Sequence, residues 1–253
     1  MLNEERRRAI LDVLNRVGRV VVSDLAQQFE ASQVTIRKDL DALYARGLID
    51  RTHGGALPAR GGAFKDLTLR EKEKLYSKEK LHIAAAAISK VKEGQVIILD
   101  SGTTTTAIAR ALRNFRQLTV ITNAVNIAVE LAGTTIEVIL TGGMLRKNSF
   151  SLVGSIAEDV LRHLNADILF LGVDGIDVTY GLSTPNLPEA KVNRVMSEAA
   201  KRTVVVCDSS KFGRRSLSHI LPLSAFQEVI TDRGVSKSDL RALKKAGIEV
   251  TLV

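Results

Sequence analysis

The sequence predicts an α/β chain in two parts: a small N-terminal unit of three helices with a β-hairpin, and a larger unit built on a mainly parallel sheet. Three observations carry this. Apolar residues recur at helical spacing three times before Gly47. The stretch Pro-Ala-Arg-Gly-Gly, Pro58 to Gly62, then shifts the composition as an interdomain linker does. Beyond Gly94, apolar runs of strand length alternate with helical stretches.

Residues 3–17 place Ile10, Leu11, Leu14 and Val17 on one stripe, opposite the cluster Arg6-Arg7-Arg8, and Gly18 ends the helix. Val20-Val21-Val22 is β-rich and leads to Ser23, an N-cap residue for a second helix carrying Leu25, Ala26 and Phe29. Glu30-Ala31 is a tight connector. Ser32 caps a third helix over 33–46, in which Ile36, Leu40 and Leu43 share one face, and Gly47 closes it. Residues 48–52 and 53–57 read as two short strands joined by a turn. These are the parts of a winged helix-turn-helix. With the core face of the third helix taken, Val34, Thr35, Arg37 and Lys38 point outward near its N-terminus, where a recognition helix meets base edges. Periodicity alone fits an amphipathic helix with a solvated basic corner equally well.

After the linker, charged helical sequence from Thr68 to Lys80 runs into the apolar stretch Ile83 to Ile88. Apolar runs follow at 95–99, 118–122, 136–140, 167–172, 203–207, 227–231 and 248–252. Helical stretches fall at 104–112, 125–132, 154–163, 188–200 and 237–245. Strands that are apolar throughout, rather than alternately, have both faces covered, which is the mark of a parallel sheet between helical layers. The division is a winged helix-turn-helix unit over 1–57, a linker and connecting helix over 58–79, and an α/β domain over 80–253.

Composition narrows the class. Of 253 residues, 45% are apolar, enough for a substantial core, and 25% are charged, as in an ordinary soluble domain. The residues after Met1, Leu-Asn-Glu-Glu-Arg-Arg-Arg, offer no signal peptide. The longest apolar run, near Ile83 to Ile88, is far short of the roughly 20 residues that span a bilayer, so no membrane partner and a cytoplasmic location are expected. The single cysteine, Cys207, excludes an internal disulfide and sits in an apolar strand as a core residue rather than a reactive thiol. No Cys or His spacing suggests a metal, and His82, His163 and His219 stand in no motif. A net charge of +8 hints at a polyanionic partner.

The chemistry lies at the strand ends, where open α/β sheets bind ligands. They carry Asp100-Ser101-Gly102-Thr103-Thr104, Thr122-Asn123, Thr141-Gly142-Gly143, Gly172-Val173-Asp174-Gly175 and Asp208-Ser209-Ser210-Lys211. Ser101 to Thr104 can offer N–H groups and hydroxyls to an anion at the start of the following helix, or serve only as its cap. Lys211 could add a point charge there or be an ordinary loop lysine, and Gly142-Gly143 reads as a turn as readily as a ligand contact. Asp100, Asp174 and Glu189 are acceptors suited to sugar hydroxyls or an amino group. Ser101 lacks a G-x-S-x-G setting, and no P-loop or G-x-G-x-x-G is present, so neither a hydrolase nor a nucleotide cofactor is expected. Residue types alone leave a sugar-phosphate isomerase open.

Specific stretches resemble one family. Ser32-Gln33-Val34-Thr35-Ile36-Arg37-Lys38-Asp39-Leu40, continuing to Arg51-Thr52-His53-Gly54-Gly55-Ala56, is similar to the N-terminal signature of DeoR-type bacterial repressors. ILDSGTTT, VITNAVNIA, LTGGMLR, FLGVDGID, GLSTPNLPEAKV and VVCDSSKFG follow in that family's order. Within the family the chain resembles repressors of N-acetylgalactosamine and galactosamine utilisation.

The resemblance implies an N-terminal winged helix that binds double-stranded operator DNA. It also implies a C-terminal domain of the fold shared with ribose-5-phosphate isomerase and glucosamine-6-phosphate deaminase, acting as a sensor of a phosphorylated sugar and not as an enzyme. Gln33, Thr35 and Arg37 would read base edges, and Lys38, Arg51 and His53 would anchor phosphates or a minor groove, with Ser23 and Ser32 completing the DNA-binding set. Asp100, Ser101, Gly102, Thr103 and Thr104 would form the phosphate loop. Thr122, Asn123, Gly142, Gly143, Asp174, Glu189 and Lys211 would line the sugar. A homo-oligomer, dimer or tetramer, and no cofactor complete the expectation.

Overall fold

A computed structural model describes residues 3–58 and 66–253. Of the linker expected at Pro58 to Gly62, residues 59–62 lie outside the described residues. The chain divides into two compact units, Met1–Lys65 and Asp66–Val253.

The first unit runs α1 (Asn3–Val17), β1 (Val20–Val21), α2 (Val22–Gln28), α3 (Gln33–Ala45), β2 (Ile49–Thr52) and β3 (Gly55–Pro58). Its three strands pair antiparallel in the order β1-β3-β2. Ile10, Leu14, Leu25, Ile36, Leu40, Leu43 and Ile49 are each at most 1% exposed. At about 1.5–3 kcal/mol per buried aliphatic side chain, this cluster is the main force holding three short helices together. Ser32 caps α3 by accepting the Thr35 N–H at 3.1 Å.

Two expectations need correction here. Ser23 is not the cap of α2: the helix begins at Val22, whose N–H is satisfied by the Gly54 carbonyl at 2.8 Å, and Val21 holds the cap position. Tertiary pairing of β1 with β3 thus starts the helix before the capping residue is reached. Arg6 does not lie on a solvated face. It is 7% exposed, with Nε 2.5 Å from Asp39 on α3, and Arg7 Nε reaches the other oxygen of that carboxylate at 3.0 Å.

The second unit opens with α4 (Leu69–Glu73) and α5 (Ser77–Ile88). The single charged helix expected over 68–80 is interrupted between them, where Tyr76 takes a left-handed backbone (φ 52°). There follow β4 (Val96–Leu99), α6 (Thr103–Leu112), β5 (Thr119–Thr122), α7 (Val125–Leu131) and β6 (Glu137–Leu140). Next come β7 (Met144–Arg146), β8 (Ser151–Val153), α8 (Ser155–Arg162), β9 (Ala166–Leu171), β10 (Gly175–Asp177) and β11 (Gly181–Thr184). The unit ends with α9 (Leu187–Glu198), β12 (Ala200–Val206), β13 (Ser218–His219), β14 (Glu228–Thr231), α10 (Lys237–Lys245) and β15 (Glu249–Leu252).

Seven strands form one parallel sheet in the order β15-β14-β12-β9-β4-β5-β6. Both faces are covered, as the apolar runs require. Ile97, Leu99, Phe170, Val204 and Val206 pack with Ile83, Ile108 and Ile127 from α5, α6 and α7. Ile98, Leu169, Leu171, Val205 and Val229 face the opposite way, with Leu161, Val192, Met196 and Leu243 from α8, α9 and α10. Cys207 belongs to that second core, and burial raises its thiol pKa far above the ordinary value. It is a packing residue.

Candidate functional site

From β4 the chain proceeds to β5 and β6 on one side of the sheet, while β9 leads to β12 on the other. Neighbouring strands whose connections diverge leave a crevice at their carboxyl ends. Asp100 follows β4 and Asp174 follows β9, so the two carboxylates flank that crevice. Asp100 is 3% exposed and accepts backbone N–H groups from Ser101 and Gly172. With its amide oriented to donate, Asn193 on α9 lies 3.1 Å from Asp100 Oδ1. Burial, then the charges of Glu189 and Asp174, hold the Asp100 carboxyl well above the usual range.

Asp174 behaves in the opposite way. Burial would raise its pKa, but Lys72 and Lys211 outweigh it and hold the carboxyl far below the ordinary value. Lys72 Nζ, from α4, lies 2.7 Å from Asp174 Oδ1, Lys211 Nζ lies 3.9 Å from the same oxygen, and Thr184 Oγ1 donates to Oδ2 at 3.3 Å. Burial lowers the Lys72 pKa and Asp174 more than restores it, so the ammonium is held above its ordinary value. Glu189, brought in by the first turn of α9 with its N–H on Asn186, pairs with Arg146 of β7 at 2.5 Å and accepts the Ser151 hydroxyl at 2.8 Å. Arg146 also binds Asp66.

The loop after β4 enters α6 with Gly102 at the cap position and no side chain capping the helix. Its first-turn N–H groups are therefore open to an anion, and the helix dipole favours negative charge there. Ser101 and Thr103 are half-buried and Thr104 is buried, whereas the hydroxyls of Thr105 and Thr106 donate back to the Gly102 carbonyl at 3.0 and 2.6 Å.

Other expected lining residues make bonds within the fold as well. Thr122 Oγ1 donates to the Leu99 carbonyl at 2.7 Å and accepts the Ala124 N–H at 3.0 Å, which ties β5 to β4. Asn123 is fully buried and donates to the Leu152 carbonyl. Gly142 and Gly143 take left-handed backbone (φ 71° and 114°), and a Cβ on Gly143 would press on the Val153 carbonyl at 2.7 Å.

Lys80 of α5 is 6% exposed and donates to the carbonyls of Lys72 and Leu75, both at 2.6 Å. Burial lowers its pKa to about 8, with Asp208 and Glu73 raising it and Lys211 and Lys72 lowering it further. Below pH 8 the lysine is charged in both folded and unfolded chains, and its burial costs stability. That cost fades as pH climbs from 8 towards 10.5, because the unfolded chain then binds more protons. The stability of wild type relative to Lys80→Met should accordingly rise across this window by up to about 3 kcal/mol, read by urea denaturation at each pH. A constant difference would show that Lys80 titrates as an ordinary lysine.

In the N-terminal unit, α3 presents Gln33, Val34, Arg37 and Lys38 to solvent. Arg37 Nη2 donates to Gln33 Oε1 at 3.1 Å, one turn away, and Thr35 is joined to the Ser32 hydroxyl at 2.9 Å. His53 is exposed at the hairpin turn and Ser23 is exposed on α2, its hydroxyl on Asp24. Arg51 braces the wing, with Nε 3.1 Å from Asp41 and Nη1 donating to the Gly55 carbonyl at 3.0 Å.

The sequence reading missed Lys72, Arg146, Ser151, Thr184 and Asn193 as cleft residues. Lys72, Arg146, Ser151 and Asn193 owe their place to partners distant in the chain, whereas Thr184 bonds the nearby Asp174 and Glu189. Of the stretches that carry the family resemblance, LTGGMLR contains Arg146 and GLSTPNLPEAKV contains Thr184, and the other three residues lie outside them.

A winged helix-turn-helix in one chain with an α/β unit that gathers charged groups at its switch point defines a class: helix-turn-helix transcription regulators that carry a sensor domain. The family described as the DeoR-like helix-turn-helix domain matches residues 6–59, and that described as the DeoR C terminal sensor domain matches residues 76–233. The chain belongs to the DeoR family. A protein of Escherichia coli O157:H7, named for repression of the aga operon, is 41% identical over 98% of this chain and 93% of its own length. The glycerol-3-phosphate regulon repressor of Escherichia coli K12 is 30% identical over the full length of both. Among solved structures, ribose 5-phosphate isomerase A from Methanocaldococcus jannaschii aligns over 54% of this chain and 55% of its own, at 22% identity and a TM-score of 0.41.

Proposed function

We propose that this chain is a repressor of a carbohydrate catabolic operon, released from its operator by a phosphorylated sugar, with amino-sugar phosphates the first candidates. The carrying observation is the joining of an outward-facing basic recognition helix to a cleft that pairs an uncapped helix start with lysines and carboxylates. The relatives' names point the same way, one to the aga operon and one to a glycerol-3-phosphate regulon. In this reading residues 1–57 bind DNA, 58–79 connect, and 80–253 sense. A homo-oligomer sets paired winged helices on repeated half-sites. Gln33, Thr35 and Arg37 read bases; Lys38, Arg51 and His53 hold the backbone, with Ser23 and Ser32 at helix starts beside it. The Ser101–Thr104 loop takes the phosphate, while Asp100, Asp174 and Glu189 face the sugar. No step of catalysis is assigned to them. To act as inducer, the ligand must bind the DNA-free conformation more tightly than the DNA-bound one.

The test is footprinting of the chain on its own upstream region, followed by release with sugar phosphates. Arg37→Ala should reduce discrimination between operator and random duplex by about 5–100-fold, the worth of one bidentate base contact. Unchanged footprints and affinities in that variant would remove α3 as the reading helix. Aldose–ketose conversion or ammonia release by the purified chain would overturn the non-enzymatic reading.

A further inference from the structure

The segment 66–75 is fastened to the cleft at several points. Asp66 pairs with Arg146, the Leu69 N–H donates to the Asn148 carbonyl at 2.7 Å, and Lys72 sits on Asp174 at 2.7 Å. Glu73 reaches Arg110 of α6 at 3.4 Å, and Lys80 holds the carbonyls of Lys72 and Leu75. This strap follows directly, in sequence, the residues that leave the N-terminal unit.

Its charges are unevenly matched. On one side, Lys72 and Lys211 crowd the carboxylate of Asp174; Asp208 also acts on Lys211, but Lys80 and Arg214 add their charge to the same cluster, so cations outnumber carboxylates there. On the other, Asp66 and Glu189 share the guanidinium of Arg146, and a further cation acting on both is Lys72 itself. Asp100 between them is pushed towards its neutral form. A ligand with an anionic end and a hydroxyl- or amine-bearing end is therefore oriented, anion towards Lys72 and Lys211, donors towards Glu189. Lys72 is also within reach of such a ligand, its side chain being 23% exposed while Asp174 is 13% exposed.

We propose that Lys72 is an effector-binding residue: the ligand's anionic group engages its ammonium together with Lys211, and so draws the strap 66–75 into the bound complex. This rests on the reading of the cleft as the site of a phosphorylated effector. Effector affinity and the fastening of the strap then become one linked quantity, because the residue that grips the anion belongs to the segment leading to the DNA-reading unit.

The experiment titrates the full chain with galactosamine 6-phosphate, and with inorganic phosphate as the bare anion, by calorimetry. Hydrogen exchange of residues 66–75 is followed in parallel. Lys72→Met should weaken galactosamine 6-phosphate by about 10–100-fold, the loss of one charge-assisted hydrogen bond. Lys72→Arg should restore most of that loss. In wild type the ligand should slow exchange along the strap, and in Lys72→Met it should not. If the single variant folds poorly with Asp174 deprived of its nearest cation, Lys72→Met with Asp174→Asn is compared with Asp174→Asn alone, and the same fold-loss between those two carries the test. Binding by Lys72→Met that equals or exceeds wild type overturns the assignment of Lys72 alone. Failure of wild type to bind either probe overturns the effector reading and Lys72's role with it.

Discussion

Asp39→Ala is expected to unfold most of the N-terminal unit. Asp39 is 2% exposed and accepts Arg6 at 2.5 Å and Arg7 at 3.0 Å, which pins α1 across α3. Removing the carboxylate takes from the buried Arg6 guanidinium the charge that Asp39 supplies, while its bond to Asn3 stays, a loss of up to about 3–5 kcal/mol. At about 0.05–0.15 kcal/mol per residue, a unit of this size holds only about 3–8 kcal/mol in all. Hydrogen exchange of the α1 and α3 amides separates this unit from the rest and should show protection collapsing in both helices. DNA binding should fall with it while the α/β unit keeps its own protection. Retained exchange rates would mean that Arg6 and Arg7 find other partners at little cost.

Arg146→Ala should be the most damaging single change in the second unit. The guanidinium joins Glu189 at 2.5 Å, Asp66 and the Ser149 hydroxyl at 3.3 Å, and its side chain is 13% exposed. Without it, Glu189 keeps the hydroxyls of Ser151 and Thr184 as donors and the more remote charge of Lys72, with Asp174 close by. The same penalty of about 3–5 kcal/mol follows. For a domain of this length it lowers Tm by roughly 6–20 °C. Glu189→Gln added to Arg146→Ala should recover part of the loss, since the remaining amide needs no counter-ion. A double variant no more stable than Arg146→Ala would place the cost elsewhere, in the strap held by Asp66.

The sheet was legible because its signal is local. Each of the seven parallel strands overlaps a run of apolar residues read before the structure, and Ser32 caps α3 as its position implied. Short elements escaped for the same reason: β7, β8, β10 and β13 have two or three residues, too few to show a period. Arg6 was misplaced because its neighbours Arg7 and Arg8 disguise it as surface. The clue lay in Asp39, three residues after Ile36 and beside Leu40, hence on the core side of α3. In the cleft, the residues at strand ends were readable, since topology alone delivers them there. Lys72, Arg146 and Asn193 were not, because their partners lie far along the chain and no spacing rule joins them. Thr122 shows the converse: a polar strand end whose hydroxyl is taken up by the backbone beside it.

The brevity of α4 has a mechanical consequence. Five residues with a capping box at Thr68 and Glu71 make one turn, and one turn does not survive in water without tertiary support. Freed from Asp174 and Arg146, residues 66–75 would run out as extended chain up to roughly 35 Å long, at ~3.5 Å per residue. Fastened, the segment keeps the connecting chain short; loosened, it lengthens that connection by most of its own extended length.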